Sequence, residues 1–282
     1  MTGPLSADRP ITAIVLAGSR GPADPVAAAA GVSHKALAPV AGVPMLARVL
    51  ASLAAVPRIG RVIVLIERPE LVLEHPAFAP FLARGSLTVL PAAASPSRSV
   101  LAALDAVPAP FPCLVTTADH PLLTPAMVEH FWTNLPPGVD AAVGLARSET
   151  IHAAYPGTRR TYLRFRDGAY SGCNLFALRT AAARSVVSFW RRVEQDRKTP
   201  WRMIRTLGPG TLLSYALGRL RLDTALAAFS RRTGAALAAV DLPFADAAVD
   251  VDRPSDLLLA DAILAGRRDG APIGPQNQAA AS

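Results

Sequence analysis

Two continuous apolar runs, Ile11-Thr12-Ala13-Ile14-Val15-Leu16 and Arg61-Val62-Ile63-Val64-Leu65-Ile66, limit what this chain can fold into more than any other feature. A strand that is apolar at nearly every position must be covered on both faces, as parallel strands layered between helices are. The intervening segments agree. Residues 45–55 place Leu46, Val49, Leu50 and Leu53 at helical spacing, and residues 97–107 do so with Val100, Leu101 and Leu104. Strand signals at 87–90, 113–117 and 140–145, and a helix at 125–132, continue the alternation. The pattern predicts an α/β fold over 11–145, with a mostly parallel sheet and helices on both faces.

The remainder is less regular. Residues 161–166 and 173–178 flank Asp167-Gly168, a hairpin turn signal. Helices are expected at 181–195, 201–207 and 211–230, and short strands at 236–241 and 247–251. A last helix starts at Pro254, with Ser255 and Asp256 at its positive end, and runs to about residue 264. Residues 267–282 are rich in Gly, Pro, Gln and Ala and are expected to be disordered. The organisation expected is one domain over 1–266: a ligand-binding half at 11–145, an inserted hairpin-plus-helices region at 147–235 and a closing segment at 236–266.

Of the 282 residues 51% are hydrophobic and 18% charged, which excludes disorder over most of the length. The 55 alanines raise the mean hydropathy to +0.30, yet no stretch of about 18 apolar residues escapes a charge or proline, so no transmembrane helix is expected. Asp8 and Arg9 stand directly before the first strand, the wrong layout for a secretory signal, and Cys113 and Cys173 make no disulfide framework. A cytoplasmic location is the expectation. Charge is uneven: residues 147–232 hold 17 basic and five acidic side chains, +12, against −4 elsewhere. Such a block attracts phosphates, acidic lipid headgroups or nucleic acid. No nucleic-acid motif accompanies it, so nucleic acid is not expected. Phe189-Trp190-Arg191-Arg192 and Trp201-Arg202 suit core helices with a basic outer face, and are compatible with peripheral membrane contact. Of 29 basic residues 27 are arginine; the two lysines are Lys35 and Lys198. A lysine kept in so arginine-rich a chain hints at a need for a compact ammonium.

The first run ends in Leu16-Ala17-Gly18-Ser19-Arg20-Gly21, and Lys35-Ala36-Leu37 follows after a Pro- and Ala-rich spacer. At the carboxyl edge of a parallel sheet this loop lies where α/β proteins bind ligands. Its small residues admit phosphate oxygens to backbone N–H groups, and Arg20 and Lys35 can neutralise them. Neither a Walker loop nor G-x-G-x-x-G is present. Ser97-Arg98-Ser99 opens a helix, where hydroxyls and an arginine suit ribose or phosphate oxygens, or simply cap the helix. Asp119 follows a buried strand in Thr117-Ala118-Asp119-His120-Pro121. A carboxylate at that edge is costly unless it meets a cation or donors. Asp250 and Asp252 fall on one face of a strand end at period-two spacing.

In this order the segments resemble the NTP transferases similar to molybdenum-cofactor guanylyltransferase, with sugar-phosphate and polyol-phosphate relatives. The matching residues are Leu16, Ala17, Gly18, Arg20 and Lys35, the Gly42-Val43-Pro44-Met45-Leu46 stretch, Ser97-Arg98-Ser99, Asp119, and Asp250 to Leu257. This chain departs in a longer spacer before Lys35, a single glycine in the turn, and Arg253 where threonine is usual. The resemblance implies a Rossmann-like sheet of the nucleotide-diphospho-sugar transferase type. It implies that Leu16, Ala17, Gly18, Arg98 and Ser99 bind the nucleotide and that Arg20 and Lys35 hold the triphosphate. Asp119 with Asp250 or Asp252 would hold Mg2+ (or Mn2+). Gly172 and Asn174, in Ser171-Gly172-Cys173-Asn174, would line the acceptor pocket, and Arg160 and Arg164, four positions apart and so on one face of an expected strand, would face it. Cys173 has no base beside it. The implied reaction moves a nucleoside monophosphate from a nucleoside triphosphate to a phosphorylated small-molecule or lipid-like acceptor, releasing pyrophosphate. Two alternatives stand beside it. A nucleotide-sugar-dependent glycosyltransferase usually wants an Asp-x-Asp that residues 117–119 lack, and a non-catalytic nucleotide-binding or membrane-associated protein would use the basic block alone.

Overall fold

A computed structural model describes residues 9–19, 21, 23–158, 160–196 and 208–269. Arg20, Lys198, Trp201, the helix expected at 201–207 and the tail from 270 lie outside the described residues.

The strands are β1 (Ile11–Leu16), β2 (Pro39–Val40), β3 (Val43–Pro44), β4 (Ile59–Ile66), β5 (Leu87–Pro91), β6 (Cys113–Thr117), β7 (Ala141–Arg147), β8 (Leu163–Phe165), β9 (Gly168–Leu178) and β10 (Leu237–Asp241). All but β2 and β3, which pair with each other, form one sheet in the order β10-β7-β9-β6-β1-β4-β5, with β8 on β9. Neighbours are parallel except along β9, which runs antiparallel to β6, β7 and β8. The α/β expectation with a mostly parallel sheet holds, and β9 is the reversed strand that joins its two parts.

Both faces are covered, as the continuous runs require. Ala13 and Val15 of β1 pack with Val62, Val64 and Leu114 beneath the Met45–Ala54 and Pro125–Thr133 helices. Ile14 faces the other way, with Ile63, Leu65 and Val115 under the Pro96–Ala106 and Ala183–Asp196 helices. A third cluster sits at one edge, where Val26, Val40, Met45, Leu122, Val249, Val251 and Ile263 bring the early loops against the Pro254–Asp269 helix. Ala41 N–H donates to Asp261 of that helix at 2.5 Å.

Some expectations need correction. The helix expected at 211–230 is two, Pro209–Ala216 and Leu222–Thr233, because Gly218 takes φ +64° and turns the chain. The strand expected at 247–251 is a 3₁₀ turn, Ala245–Ala248, followed by an extended segment. The Val251 N–H there is used on the Asp119 carbonyl, 2.9 Å. The final helix continues to Asp269, so residues 267–269 are helical where disorder was expected.

His120 is fully buried behind β6, near Asp246, which accepts from Tyr155 and is paired with Arg267. Burial pulls the imidazole down to about 4, outweighing the attraction of Asp119. The unfolded chain therefore takes up this proton at a higher pH than the fold does. Stability present above pH 6.5 should drain away as pH falls toward 4, by up to about 3 kcal/mol. In urea unfolding between pH 7 and 5 we expect His120→Asn to flatten the pH dependence. An unchanged slope would show that His120 is not its source.

Candidate functional site

The chain leaves β1 toward β4 on one side, while β6 lies on its other side, so the sheet order diverges at the carboxyl ends of β1 and β6. Crevices form at such points because the two connections depart in opposite directions. Here Ala17 N–H donates to Leu65 and Ala118 N–H to Leu16, each at 2.9 Å, which fixes the two strand-end turns side by side. Above them opens a cleft of about 500 Å³, lined among others by Leu16, Gly18, Lys35, Asp119, Asn174 and Asp252.

Lys35 begins a 3₁₀ turn, Lys35–Leu37, and is 8% exposed. Its ammonium lies 2.6 Å from Asp119 Oδ2 and 2.9 Å from Asp252 Oδ1. Burial draws the lysine down, but Asp119 and Asp252 outweigh it and hold the ammonium above its ordinary value. The group is therefore charged throughout the neutral range. The other oxygen of Asp119, Oδ1, is buried and has no hydrogen-bond partner among the described residues.

Glu67, the residue after β4, organises the first turn. Its Oε1 accepts from Ser19 N–H at 2.8 Å, and a Cβ at Gly18 would stand 3.3 Å from that oxygen. Glycine thus lets the turn close on the carboxylate. The other oxygen lies 3.0 Å from His34 Nε2. His34 Nδ1 accepts from Ala36 N–H at 3.1 Å, so the neutral ring carries its proton on Nε2 and donates to Glu67. Asp24 caps the Pro25–Ala29 helix through Val26 and Ala27 N–H. Glu67 and Asp24 both line the cleft and were not picked out from sequence. Each left a signal: Glu67 ends a strand beside the switch point, and Asp24 precedes a helix-opening proline.

The closing segment is held by Arg160. Its guanidinium pairs with Asp250 at 3.0 Å and with Asp256 at 3.3 Å, its side chain being 7% exposed. It also donates to the Asp250 carbonyl at 3.1 Å. Arg160 is thus committed to carboxylates of the chain, which corrects its assignment to the acceptor. Burial raises the Asp250 carboxyl, and Asp252 and Asp119 raise it further, with Arg160 opposing. Among the described residues no group of three or more His, Cys, Asp or Glu is arranged to hold a metal ion. Of the three carboxylates expected to hold a metal, Asp250 is engaged by Arg160, while Asp119 and Asp252 flank Lys35 at the cleft. These two fit a magnesium ion: one buried oxygen lacks a partner, and that ion takes one or two carboxylates with waters and phosphates.

Other expected residues are dispersed. Arg98 is exposed and away from the cleft lining; the helix is capped by Ser95, which accepts from Arg98 N–H. Ser99 itself lines the cleft, and its hydroxyl accepts from Ala93 N–H at 2.9 Å, bracing the lining backbone beside it. Ser97 is fully buried and donates to Glu194 at 2.5 Å. Gly172 is exposed and outside the cleft lining, whereas Asn174, at φ +50°, lines it. Arg164 is exposed on β8, so it and Arg160 do not face one pocket. Among the described residues the basic block is not one patch either. Arg147 pairs with Asp241, Arg184 with Asp105, and Arg179 donates to the Pro136 carbonyl. Burial raises both thiols, Cys113 to about 12, which leaves neither suited as a nucleophile.

With the geometry in hand, comparison with known proteins is informative. A solved structure described as a hypothetical transferase from Thermus thermophilus is 33% identical, with a TM-score of 0.73, covering 88% of this chain and 99% of its own. A 4-diphosphocytidyl-2C-methyl-D-erythritol synthase from Anaerococcus prevotii shares the fold at 12% identity and TM-score 0.57, covering 92% of this chain and 99% of its own. A CMP:2-keto-3-deoxy-manno-octonic acid synthetase solved with CTP does so at 15% and 0.57, covering 93% and 100%. No curated protein matched. Among the described residues no helix is long and apolar enough to cross a membrane. The family model described as the MobA-like NTP transferase domain matches residues 13–206, and the chain belongs to that family.

Proposed function

We propose that this protein is a magnesium-dependent nucleotidyltransferase that moves a nucleoside monophosphate from a nucleoside triphosphate to a phosphorylated acceptor. The observation that carries the reading is Lys35, buried between Asp119 and Asp252 at the mouth of the cleft. A phosphate oxygen of the acceptor attacks the α-phosphorus in line. The new P–O bond forms as the α–β bridging bond breaks, and pyrophosphate leaves with that electron pair. Lys35 and Arg20 supply positive charge for the triphosphate, and the small side chains of the Ala17-Gly18 turn, whose Ala17 N–H is given to Leu65, admit its oxygens close to the backbone. Asp119 and Asp252 would hold the magnesium, which when bound neutralises phosphate charge and steadies the leaving group. A nucleotide-sugar-dependent glycosyltransferase has less support, because the matched family is one of NTP transferases.

Pyrophosphate release with a panel of triphosphates tests this. Asp119→Asn should abolish magnesium-dependent turnover while the fold persists; full activity in that variant would falsify the metal assignment. Lys35→Ala should cost about 10²-fold or more in rate, with Lys198→Ala nearly silent. Equal effects would remove the special role of Lys35. Arg160→Ala leaves Asp250 and Asp256 without their cation and should cost about 3 kcal/mol of stability. Arg164→Ala should leave the melting temperature unchanged, and comparable losses from both would contradict the ion-pair arrangement.

A further inference from the structure

Next to the cleft lies a second cavity of about 380 Å³, under the sheet between β7, β9 and β10 and the Ala183–Asp196 and Leu222–Thr233 helices. Among the described residues every lining side chain is apolar apart from the indole N–H of Trp190; Val143, Phe165, Leu226 and Phe229 are typical. This volume, partly open to solvent, is far larger than the water-sized voids of native interiors. Phe176 and Trp190 line it and also line the cleft. Their rings stack at 6.0 Å and 23° where the two cavities adjoin.

The chamber reaches solvent beside Leu163, a lining residue that is 47% exposed. Phe165, also in the lining, meets Tyr215 edge-on at 5.7 Å, and the Tyr215 helix, Pro209–Ala216, exposes Leu213. Leu217 follows it, 56% exposed, and Arg164, Arg219 and Arg221 are exposed on the same hairpin and helix connection. An apolar chamber with an apolar, arginine-bearing rim fits an amphiphile and offers a sugar nothing to hydrogen-bond.

We propose that the acceptor is an amphiphilic phosphate whose hydrocarbon tail occupies this chamber while its head enters the cleft past Phe176 and Trp190. The proposal rests on the transferase reading above and narrows its acceptor to a lipid-like class. An engineered cavity of about 150 Å³ with similar walls takes benzene, so this chamber has room for a tail of about ten to fifteen carbons. Each methylene buried there should tighten binding about fourfold.

The test is calorimetric titration of the full chain with butyl, octyl and dodecyl phosphate below their micelle thresholds, and separately with triphosphate and magnesium. We expect affinity to climb steeply with tail length. Ala225→Phe and Ala238→Phe, which fill the chamber from a helix and from β10, should erase the gain without weakening triphosphate binding. Two positions are used so that one variant failing to fold leaves the other decisive. Dodecyl phosphate binding no tighter than butyl phosphate, or binding untouched in a folded chamber-filling variant, overturns the proposal. Loss of triphosphate binding in wild type would instead overturn the transferase reading. A flotation arm with phosphatidylglycerol vesicles distinguishes the tail's source. Weaker flotation of Leu213→Ser/Leu217→Ser, with dissolved dodecyl phosphate still bound, supports delivery from a membrane surface; equal flotation with tail-length dependence intact supports a dissolved amphiphile.

Discussion

The ammonium of Lys35 is buried between two carboxylates that stand 84 and 217 residues further along the chain, Asp119 and Asp252. A buried charge is tolerable only with close counter-charges, and breaking such a pair costs more than the pair itself contributes. Much of the edge architecture serves this arrangement. The His34 cap sets the turn carrying Lys35, Glu67 steadies His34, and the Val251 N–H bond to Asp119 places the closing segment. Arg160 then ties down Asp250 and Asp256 on either side of Asp252. The acids that could hold a divalent cation are thus prearranged by the chain's own cations, which is the electrostatic preparation phosphoryl transfer depends on.

The sheet matters to the site mainly through β9. Parallel strands alone would place the 147–232 region beyond an edge. Reversal of β9 between β6 and β7 brings Asn174 and Phe176 next to Asp119 and carries the β8 hairpin with it. The region that differs most from a plain doubly wound sheet is therefore the one that supplies Asn174, Phe176 and Trp190 to the cleft wall. Its arginines, counted by sequence, look like one basic surface. In space several are neutralised locally by partners far along the chain, Asp105, Asp241, Asp250 and Asp256 among them.

What the sequence revealed follows a physical rule. Strands buried on both faces leave unbroken apolar runs, so β1, β4 and β6 were legible, as were the turn glycine and the strand-end Asp119. Lys35 stood out because arginine had replaced lysine almost everywhere else. Features set by distant partners were not legible. Residues 160–166 alternate like a half-buried strand, yet Arg160 precedes β8 and turns to carboxylates ninety residues away. The apolar 247–251 stretch has strand composition but gives its Val251 N–H to Asp119 instead of a ladder. Trp190 reads as an ordinary core residue of a helix, and nothing local shows that it separates two cavities.

The order in which these residues leave the ribosome has its own consequence. Asp252 follows Lys35 by 217 positions, which at about 5–20 residues per second is a delay of about 10–40 seconds. Val249, Val251 and Ile263, which seal the third core cluster, come at the same late stage. A nascent chain can form β1, β4 and β6 well before then, and Lys35 can meet Asp119. The acidic pair is completed only when nearly the whole described fold has been synthesised. A truncated or stalled product would retain the sheet and its turn but lack half of the carboxylate pair that holds the Lys35 ammonium.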